Sequence, residues 1–335
     1  MEGFDGKSVT VKVPINIAMI KYWGKRNTDL MLALNDSISL TINDLYAETK
    51  ITASQKFSKN SVKINDTDYK VTDASRFKKV LDQAISILKE RSPNTDVDLK
   101  FKIESQTNFP VAAGLASSAA GFGAIAFALA KLFNFSSEQL TFLARLGSGS
   151  AIRSVLPGLV KWDGTVQSNC ESLFGEHYWN ELRAIIVVVH DKEKDISSTV
   201  GMQTTVETSD LYQHRINVCV PKHVNELTRA FKNKNFTLLA KTIMKDSNQF
   251  HAVCLDTTPP LKYMNDISWQ LISLANKFNA DEVKVGYTFD AGPNCCYYIQ
   301  EKDAAAFLEI LDSNGFTQKS GTVIYSKIGK GPEVI

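Results

Sequence analysis

The stretch Asn108-Phe-Pro-Val-Ala-Ala-Gly-Leu-Ala-Ser-Ser-Ala-Ala-Gly121 decides how this chain is read. Before it, Val97, Leu99, Phe101 and Ile103 alternate with Asp96, Asp98, Lys100 and Lys102, the period of a strand with one wet face. After it, an Ala- and Gly-rich run to Phe133 reads as a close-packed helix. Small side chains between a strand and a helix let backbone N–H groups approach an anion, and the helix start favours phosphate. Ser117 and Ser118 add hydroxyls suited to phosphate or a metal. The same residues also suit tight helix packing, and spacing alone leaves both readings open. The stretch is no Walker A loop: the one Gly-Lys-Ser, Gly6-Lys7-Ser8, has Met1 where the earlier glycine belongs. Nor is it a dinucleotide fingerprint, because Gly121-Phe-Gly123-Ala-Ile-Ala126 falls inside the helix.

Around this loop lies a chain of 335 residues, 44% hydrophobic and 22% charged, enough apolar material for a packed core. At roughly 100–200 residues per domain, two domains or one large one are expected. Lys plus Arg is 38 against 36 for Asp plus Glu, which argues against a dedicated nucleic-acid binder but allows a local cation cluster. The five cysteines form no CxxC pair and are odd in number, which fits free thiols in a reducing compartment. The nearest approach to a membrane span, Leu115–Phe133, is built of Ala and Gly and carries Ser117, Ser118 and Lys131, so it reads as a soluble helix with no membrane partner. Met1–Val13 alternates polar and apolar residues, unlike a signal peptide, and the expected location is cytoplasmic.

Strands are expected at Val9–Val13, ending at Pro14, then at Ile38–Ile42, with another short one from Ile51. Asn65-Asp-Thr-Asp68 suggests a hairpin turn, and Asp73 can cap a helix running to Arg91. Ser136 and Gln139 form a capping-box pattern for a helix closing at a Gly147 cap. Ala184–His190 reads as a fully buried strand. Before it, Gly164–Tyr178 is polar and loop-like, which places a domain boundary there. Helical segments follow near 199–217, 222–234, 236–250 and 265–279. Then come strands Val283–Phe289 and Cys295–Gln300, a helix Asp303–Asp312 and a strand Val323–Lys327. Grouped rather than alternating elements make the fold class α+β.

Three further features carry chemistry. Gly147-Ser-Gly-Ser-Ala-Ile-Arg153-Ser154 is either a helix cap or an anion cradle closed by a guanidinium. Lys21, Tyr22, Lys25 and Arg26 form either a solvated basic turn or a diphosphate site. Asp290 ends an apolar strand before a Gly-Pro turn, a place for a turn former or for a catalytic group.

The Pro110–Gly121 stretch resembles the phosphate loop of the galactokinase, homoserine kinase, mevalonate kinase and phosphomevalonate kinase superfamily. Further segments are similar to the mevalonate diphosphate decarboxylase family. They are Asn16-Ile-Ala-Met-Ile-Lys21-Tyr-Trp-Gly-Lys25-Arg26, Ser148-Gly-Ser-Ala-Ile-Arg153-Ser154, Asp195-Ile-Ser-Ser198-Thr-Val-Gly-Met202, Asp246-Ser-Asn-Gln-Phe-His251-Ala and Tyr287-Thr-Phe-Asp290-Ala-Gly-Pro-Asn294. They occur in order over nearly the whole chain.

The resemblance implies a two-domain small-metabolite kinase fold. A ribosomal-protein-like N-terminal ATP-binding domain would span 1–182, and a ferredoxin-like C-terminal domain would span 183–335, with a cleft between. It implies ATP-dependent decarboxylation of (R)-5-diphosphomevalonate through phosphorylation of the C3 hydroxyl. The catalytic residues would be Asp290, Lys21 and Arg153. Tyr22, Lys25, Ser148, Gly149, Ser150, Arg153, Ser198 and Met202 would contact substrate. Asn108, Gly114, Ala116, Ser117 and Ser118 would hold ATP, with Ser118 the candidate neighbour of Mg²⁺ and no acidic metal ligand identifiable. A homodimer is expected, and His251 is read as a core residue. Departures from the family pattern are Val111 for Thr, Asp36 for Ser, Ala33 for Pro, and Thr199 where some relatives carry Arg. Related activities on the same fold, a monophosphate decarboxylase or a mevalonate 3-kinase, are the near alternatives. A silent metabolite sensor is the distant one.

Overall fold

Val9, Val11 and Val13 open β1 (Ser8–Ile20), whose second half is wholly buried. The strand does not stop at Pro14. Its pairing shifts register between Pro14 and Ile15, so the missing proline N–H falls at a bulge and the ladder continues. A short ribbon, β2 (Lys25–Asn27) with β3 (Leu32–Ala33), precedes β4 (Ser37–Ser54). β4 pairs antiparallel with β1 and merges into one strand the two segments that the alternation had kept apart. The structure, a computed structural model, describes residues 5–91, 98–109, 117–189 and 196–335.

The large sheet is completed by β5 (Ser61–Ile64) and β6 (Thr67–Tyr69), the expected hairpin, with β7 (Lys100–Thr107), β8 (Leu159–Trp162) and β9 (Cys170–Phe174). β5 runs parallel to β7; β8 pairs with the start of β4 and with β9. β9 lies inside the stretch read as loop. Its residues are half-exposed and lack an alternating pattern, which hid it. Helices α1 (Arg76–Arg91), α2 (Ser117–Phe133) and α3 (Ser137–Gly147) bury Val80, Leu81, Ala84, Ala120, Ala124 and Leu143 in the core shared with this sheet.

Local caps explain where these helices begin and end. Ser136 accepts from the Gln139 N–H while the Gln139 side chain accepts from the Ser136 N–H, the expected capping box. The C-cap of α3 is Ser148 in extended geometry, not Gly147. At the start of α1, Ser75 Oγ rather than Asp73 accepts from the Lys78 N–H at 3.2 Å.

The second sheet has the order β11–β12–β10–β13, all antiparallel, from β10 (Leu182–Val187), β11 (Val285–Phe289), β12 (Cys295–Gln300) and β13 (Val323–Ser326). Along β10, Ala184 and Ile186 enter the core shared with the large sheet, while Ile185 and Val187 enter a second core. Burial on both faces is why this strand reads as an unbroken apolar run.

The expected helix 199–217 is broken. α4 (Ser198–Thr208) ends at extended Ser209, and α5 (Asp210–His214) passes through a π turn, Arg215–Cys219, into α6 (Val220–Lys232). α7 (Phe236–Asp256) packs between the two sheets. α8 (Asp266–Phe278) and α9 (Glu301–Ser313) cover the outer face of the second. The tail strand β14 (Glu333–Val334) returns to the large sheet beside β1. Among the described residues, no helix is long and apolar enough to cross a membrane.

Candidate active site

β1 delivers Lys21 to the rim of the large sheet, and β11 delivers Asp290 to the rim of the small one. There Lys21 Nζ donates to Asp290 Oδ1 at 2.5 Å. The Lys21 side chain is 3% exposed and that of Asp290 is 36%, so the carboxylate opens on solvent while its cation is enclosed. The loop after Lys21 is rigidly held. Asn35 Oδ1 accepts from the Trp23 N–H, Asn35 Nδ2 donates to the Lys21 carbonyl, and Trp23 Nε1 donates to Thr205 Oγ1 at 3.0 Å. Tyr212 Oη donates to the Trp23 carbonyl at 2.5 Å. Gly24 follows at φ +88°, and a Cβ there would stand 1.9 Å from Tyr212 Oη, so only glycine fits this turn.

Arg153 comes from the 3₁₀ turn Gly149–Arg153 after α3. It is 2% exposed. Its Nε donates to Ser39 Oγ at 3.1 Å and to Asn16 Oδ1 at 3.3 Å, and its Nη1 donates to Ser37 Oγ at 2.6 Å. Burial pushes the guanidinium below the usual arginine range. Two corners of the fork are therefore fixed by β1 and β4, which aims the remainder at the cleft.

One cleft gathers Lys21, Tyr22, Lys25, Ser118, Ser148, Gly149, Ser150, Arg153, Ser198, Met202 and Asp290, eleven of the residues expected at the site. Ser148 Oγ lies 3.3 Å from both Ser118 Oγ and Ser150 Oγ. Ser198 and Met202 stand one turn apart at the start of α4, on the same helix face. Tyr22 packs on Trp162, and its buried hydroxyl has no hydrogen-bond partner among the described residues. Burial raises that phenol well above its usual range. An unpartnered buried hydroxyl on a cleft wall is a donor awaiting an acceptor. A Cβ at Gly149 would come within 3.1 Å of it, so glycine keeps this corner open.

Other expected residues lie elsewhere. Asn108 is exposed and does not line this cleft: its Nδ2 donates to the Asp44 carbonyl, and its Oδ1 accepts from the Tyr46 N–H. Gly114 and Ala116 lie outside the described residues, as does the Ser117 side chain, although its backbone begins α2. Arg26 is structural, bonding the carbonyls of Ala33 and Gly164. Asp36 accepts from the Gly164 N–H and pairs with Lys161. His251 is buried between the rings of Phe250 and Phe289. Burial, then the charge of Lys21, pushes it down to about 3, so it is a neutral core imidazole.

Sequence reasoning missed Arg76, which lines the cleft from the first turn of α1. Its Nη1 donates to the Gly147 carbonyl at 3.0 Å. Partial desolvation by the cleft walls lowers both Arg76 and Lys25, and Lys25 is depressed further by repulsion from Arg76. A cation in a helix's first turn opposes the helix dipole, and that mismatch was the available signal. Among the described residues lining the cleft, four cations (Lys21, Lys25, Arg76 and Arg153) face one carboxylate, Asp290. The arrangement suits a polyanion with one reacting hydroxyl placed against an aspartate. No group of three or more His, Cys, Asp or Glu residues among those described could hold a metal by itself.

Comparison with known proteins covers both parts of the chain. A model of the diphosphomevalonate decarboxylase-like N-terminal domain matches residues 13–173, and one of the mevalonate 5-diphosphate decarboxylase C-terminal domain matches residues 184–327. Diphosphomevalonate decarboxylase from Danio rerio is 43% identical over 321 residues, 92% of this chain and 80% of its own. The crystal structure of mevalonate diphosphate decarboxylase from Staphylococcus aureus is 31% identical, covers 98% of both chains and superposes with a TM-score of 0.88. MDDEF, solved in complex with MVAPP, AMPPCP and magnesium, is 33% identical, covers 98% of both chains and has a TM-score of 0.86.

Proposed function

The chain belongs to the diphosphomevalonate decarboxylase family, and from that premise we infer that it converts (R)-5-diphosphomevalonate and ATP to isopentenyl diphosphate, ADP, phosphate and CO₂. The observation that carries this reading is the convergence of the Lys21–Asp290 pair and the half-held Arg153 fork on one cleft with a single carboxylate among the described residues.

A tertiary hydroxyl is a poor leaving group, so it is phosphorylated first. Asp290 orients the C3 hydroxyl and takes its proton as the ATP γ-phosphoryl arrives. Lys21 holds the aspartate in place and offsets charge as the proton moves. The C3–O bond to the new phosphate then breaks. The electrons of the bond to the carboxylate become the C=C double bond, and CO₂ departs. Arg153 grips that carboxylate beforehand and fixes its plane. Lys25, Tyr22, Arg76 and the Ser148–Ser150 turn take the diphosphate. Ser118, at the start of α2, faces the phosphates of ATP.

The donor set fits Mg²⁺ carried on phosphate oxygens rather than in a protein cage, with the Ser118 hydroxyl the candidate contact. When bound, the ion supplies charge neutralisation on the ATP phosphates. The N-terminal segment 1–182 as ATP domain, the segment 183–335 as its partner, a homodimer and a cytoplasmic location belong to the same proposal.

Release of CO₂ and ADP, measured with ATP and each of mevalonate, its 5-phosphate and its 5-diphosphate, tests the reading. Each charge-assisted bond contributes about 1.5–3 kcal/mol, so the diphosphate should exceed the monophosphate at least about a hundredfold in kcat/KM. Equal use of both would move the assignment to a monophosphate decarboxylase. ADP without CO₂ would make the protein a kinase.

A further inference from the structure

The segment Asp246–His251 on α7 has no role in the chemistry above, yet it touches both members of the catalytic pair. Asp246 is fully buried, and its Oδ2 accepts from the Lys21 N–H at 2.8 Å. The next residue, Ser247, accepts through Oγ from the N–H of Phe289 at 3.0 Å, and Phe289 immediately precedes Asp290. One turn further on, His251 packs edge-on against the Phe289 ring at 6.3 Å, while Phe250 packs edge-on against Trp23 at 4.9 Å. Residues 246, 247, 250 and 251 share one helix face. A single rigid helix therefore anchors the strand end carrying Lys21 and the strand end carrying Asp290.

The anchor is costly in a way that simple capping would not require. A buried serine or asparagine could accept the Lys21 N–H without bringing a charge indoors. Asp246 instead needs Arg215, whose Nη2 lies 3.1 Å from Oδ2, and His223, whose Nδ1 lies 3.0 Å from Oδ1. Burial raises Asp246, but Arg215, His223 and the Lys21 N–H together hold it below the ordinary aspartate range. Arg215 is itself fully buried and donates to the Lys21 carbonyl at 3.3 Å and to Gln249 Oε1 at 2.5 Å. The Lys21 peptide is thus gripped at N–H and C=O by the two halves of one buried ion pair. Arg215 reaches this position from the first residue of the π turn, an irregularity often found at functional sites.

We propose that Asp246, Ser247 and His251 on α7, backed by Arg215 and His223, are positioning residues that set the Lys21–Asp290 separation for phosphoryl transfer, an inference resting on the decarboxylase reading. The reacting groups come from two different sheets, so their distance is set by whatever joins those sheets. A displacement near 1 Å costs roughly a hundredfold in rate.

Asp246→Asn and Ser247→Ala test this, with thermal melts to confirm folding. Ser247→Ala removes one neutral acceptor and leaves the Asp246–Arg215 pair intact, so it keeps the test decisive if Asp246→Asn does not fold. Expected are a fall in kcat of about tenfold for Ser247→Ala and about a hundredfold for Asp246→Asn, with KM for both substrates within about twofold. Crystal structures of the variants should show Lys21 Nζ and Asp290 Oδ1 beyond hydrogen-bond distance, roughly 3.2 Å. Unchanged kcat in folded Ser247→Ala, a rise confined to KM, or a pair that stays closed while kcat falls would each overturn the proposal. If the parent enzyme released no CO₂ from the diphosphate but the pair still opened in the variants, the substrate reading would fall and the positioning role would stand.

Discussion

Replacing Arg153 by lysine keeps a positive side chain and discards its shape, and the surroundings determine what that costs. Three contacts occupy Nε and Nη1: Ser39 at 3.1 Å, Asn16 at 3.3 Å and Ser37 at 2.6 Å. A lysine carries all its donors on one nitrogen, so it can satisfy the serines or meet a substrate carboxylate, but not both. Losing one charge-assisted hydrogen bond costs about 1.5–3 kcal/mol, or roughly 10- to 100-fold in kcat/KM. Burial adds a second effect. The delocalised guanidinium stays cationic even when burial lowers it. A lysine begins near about 10.4, and full burial lowers such a group by up to about 3–5 units.

The ammonium introduced by Arg153→Lys would then titrate within the assay range. Its useful form is the protonated one, present below its pKa and lost as pH rises through it. The variant-to-parent ratio of kcat/KM should therefore start at or below about one-tenth near about pH 6 and fall further towards about pH 9. The measurement is CO₂ release from the 5-diphosphate across that range, with a melt at each pH to confirm folding. A ratio near one and flat with pH would refute both the carboxylate grip and the argument from burial. A low but flat ratio would leave the grip and remove the titration.

Two further substitutions probe the neighbours of Arg153. Asp290→Asn keeps the side chain's size but removes its charge and basicity. It should lower kcat by about 10²–10⁴-fold with little change in KM, and ADP and CO₂ should be lost together; ADP without CO₂ would place Asp290 in the second step instead. Tyr22→Phe deletes a buried hydroxyl that has no partner among the described residues, relieving a desolvation cost of about 1–3 kcal/mol. Its Tm should be equal to or above the parent's while KM for the diphosphate rises about tenfold, and a lowered Tm with unchanged KM would make the hydroxyl structural.

What was legible in the sequence follows from the range over which each feature is determined. The α3 capping box and the two-sided burial of β10 rest on neighbouring residues, and both appear as read. Pro14 misled because a bulge absorbs its missing donor, and a bulge depends on the partner strand rather than on the proline. Lys21, Arg153 and Asp290 were identifiable as residue types and by resemblance, but their meeting is a property of topology: Lys21 and Asp290 are 269 positions apart and come from different sheets. The partners that orient them have no periodic signature at all. Ser37 and Ser39 look like ordinary alternating strand residues until Arg153 is brought beneath them, and Asp246, quoted only within a family-like stretch, shows no sign of its contact with Lys21 until the fold supplies it. Arg76 differs, because it breaks a local rule by placing a cation where the helix dipole disfavours one. Lys78 and Lys79 share that first turn but pair with Asp82 and Asp29 at the surface, so the violation alone does not single out Arg76. Position decides it: of the three cations only Arg76 lines the cleft, held there by the Gly147 carbonyl and the Phe122 ring, and only the packed fold supplies that distinction.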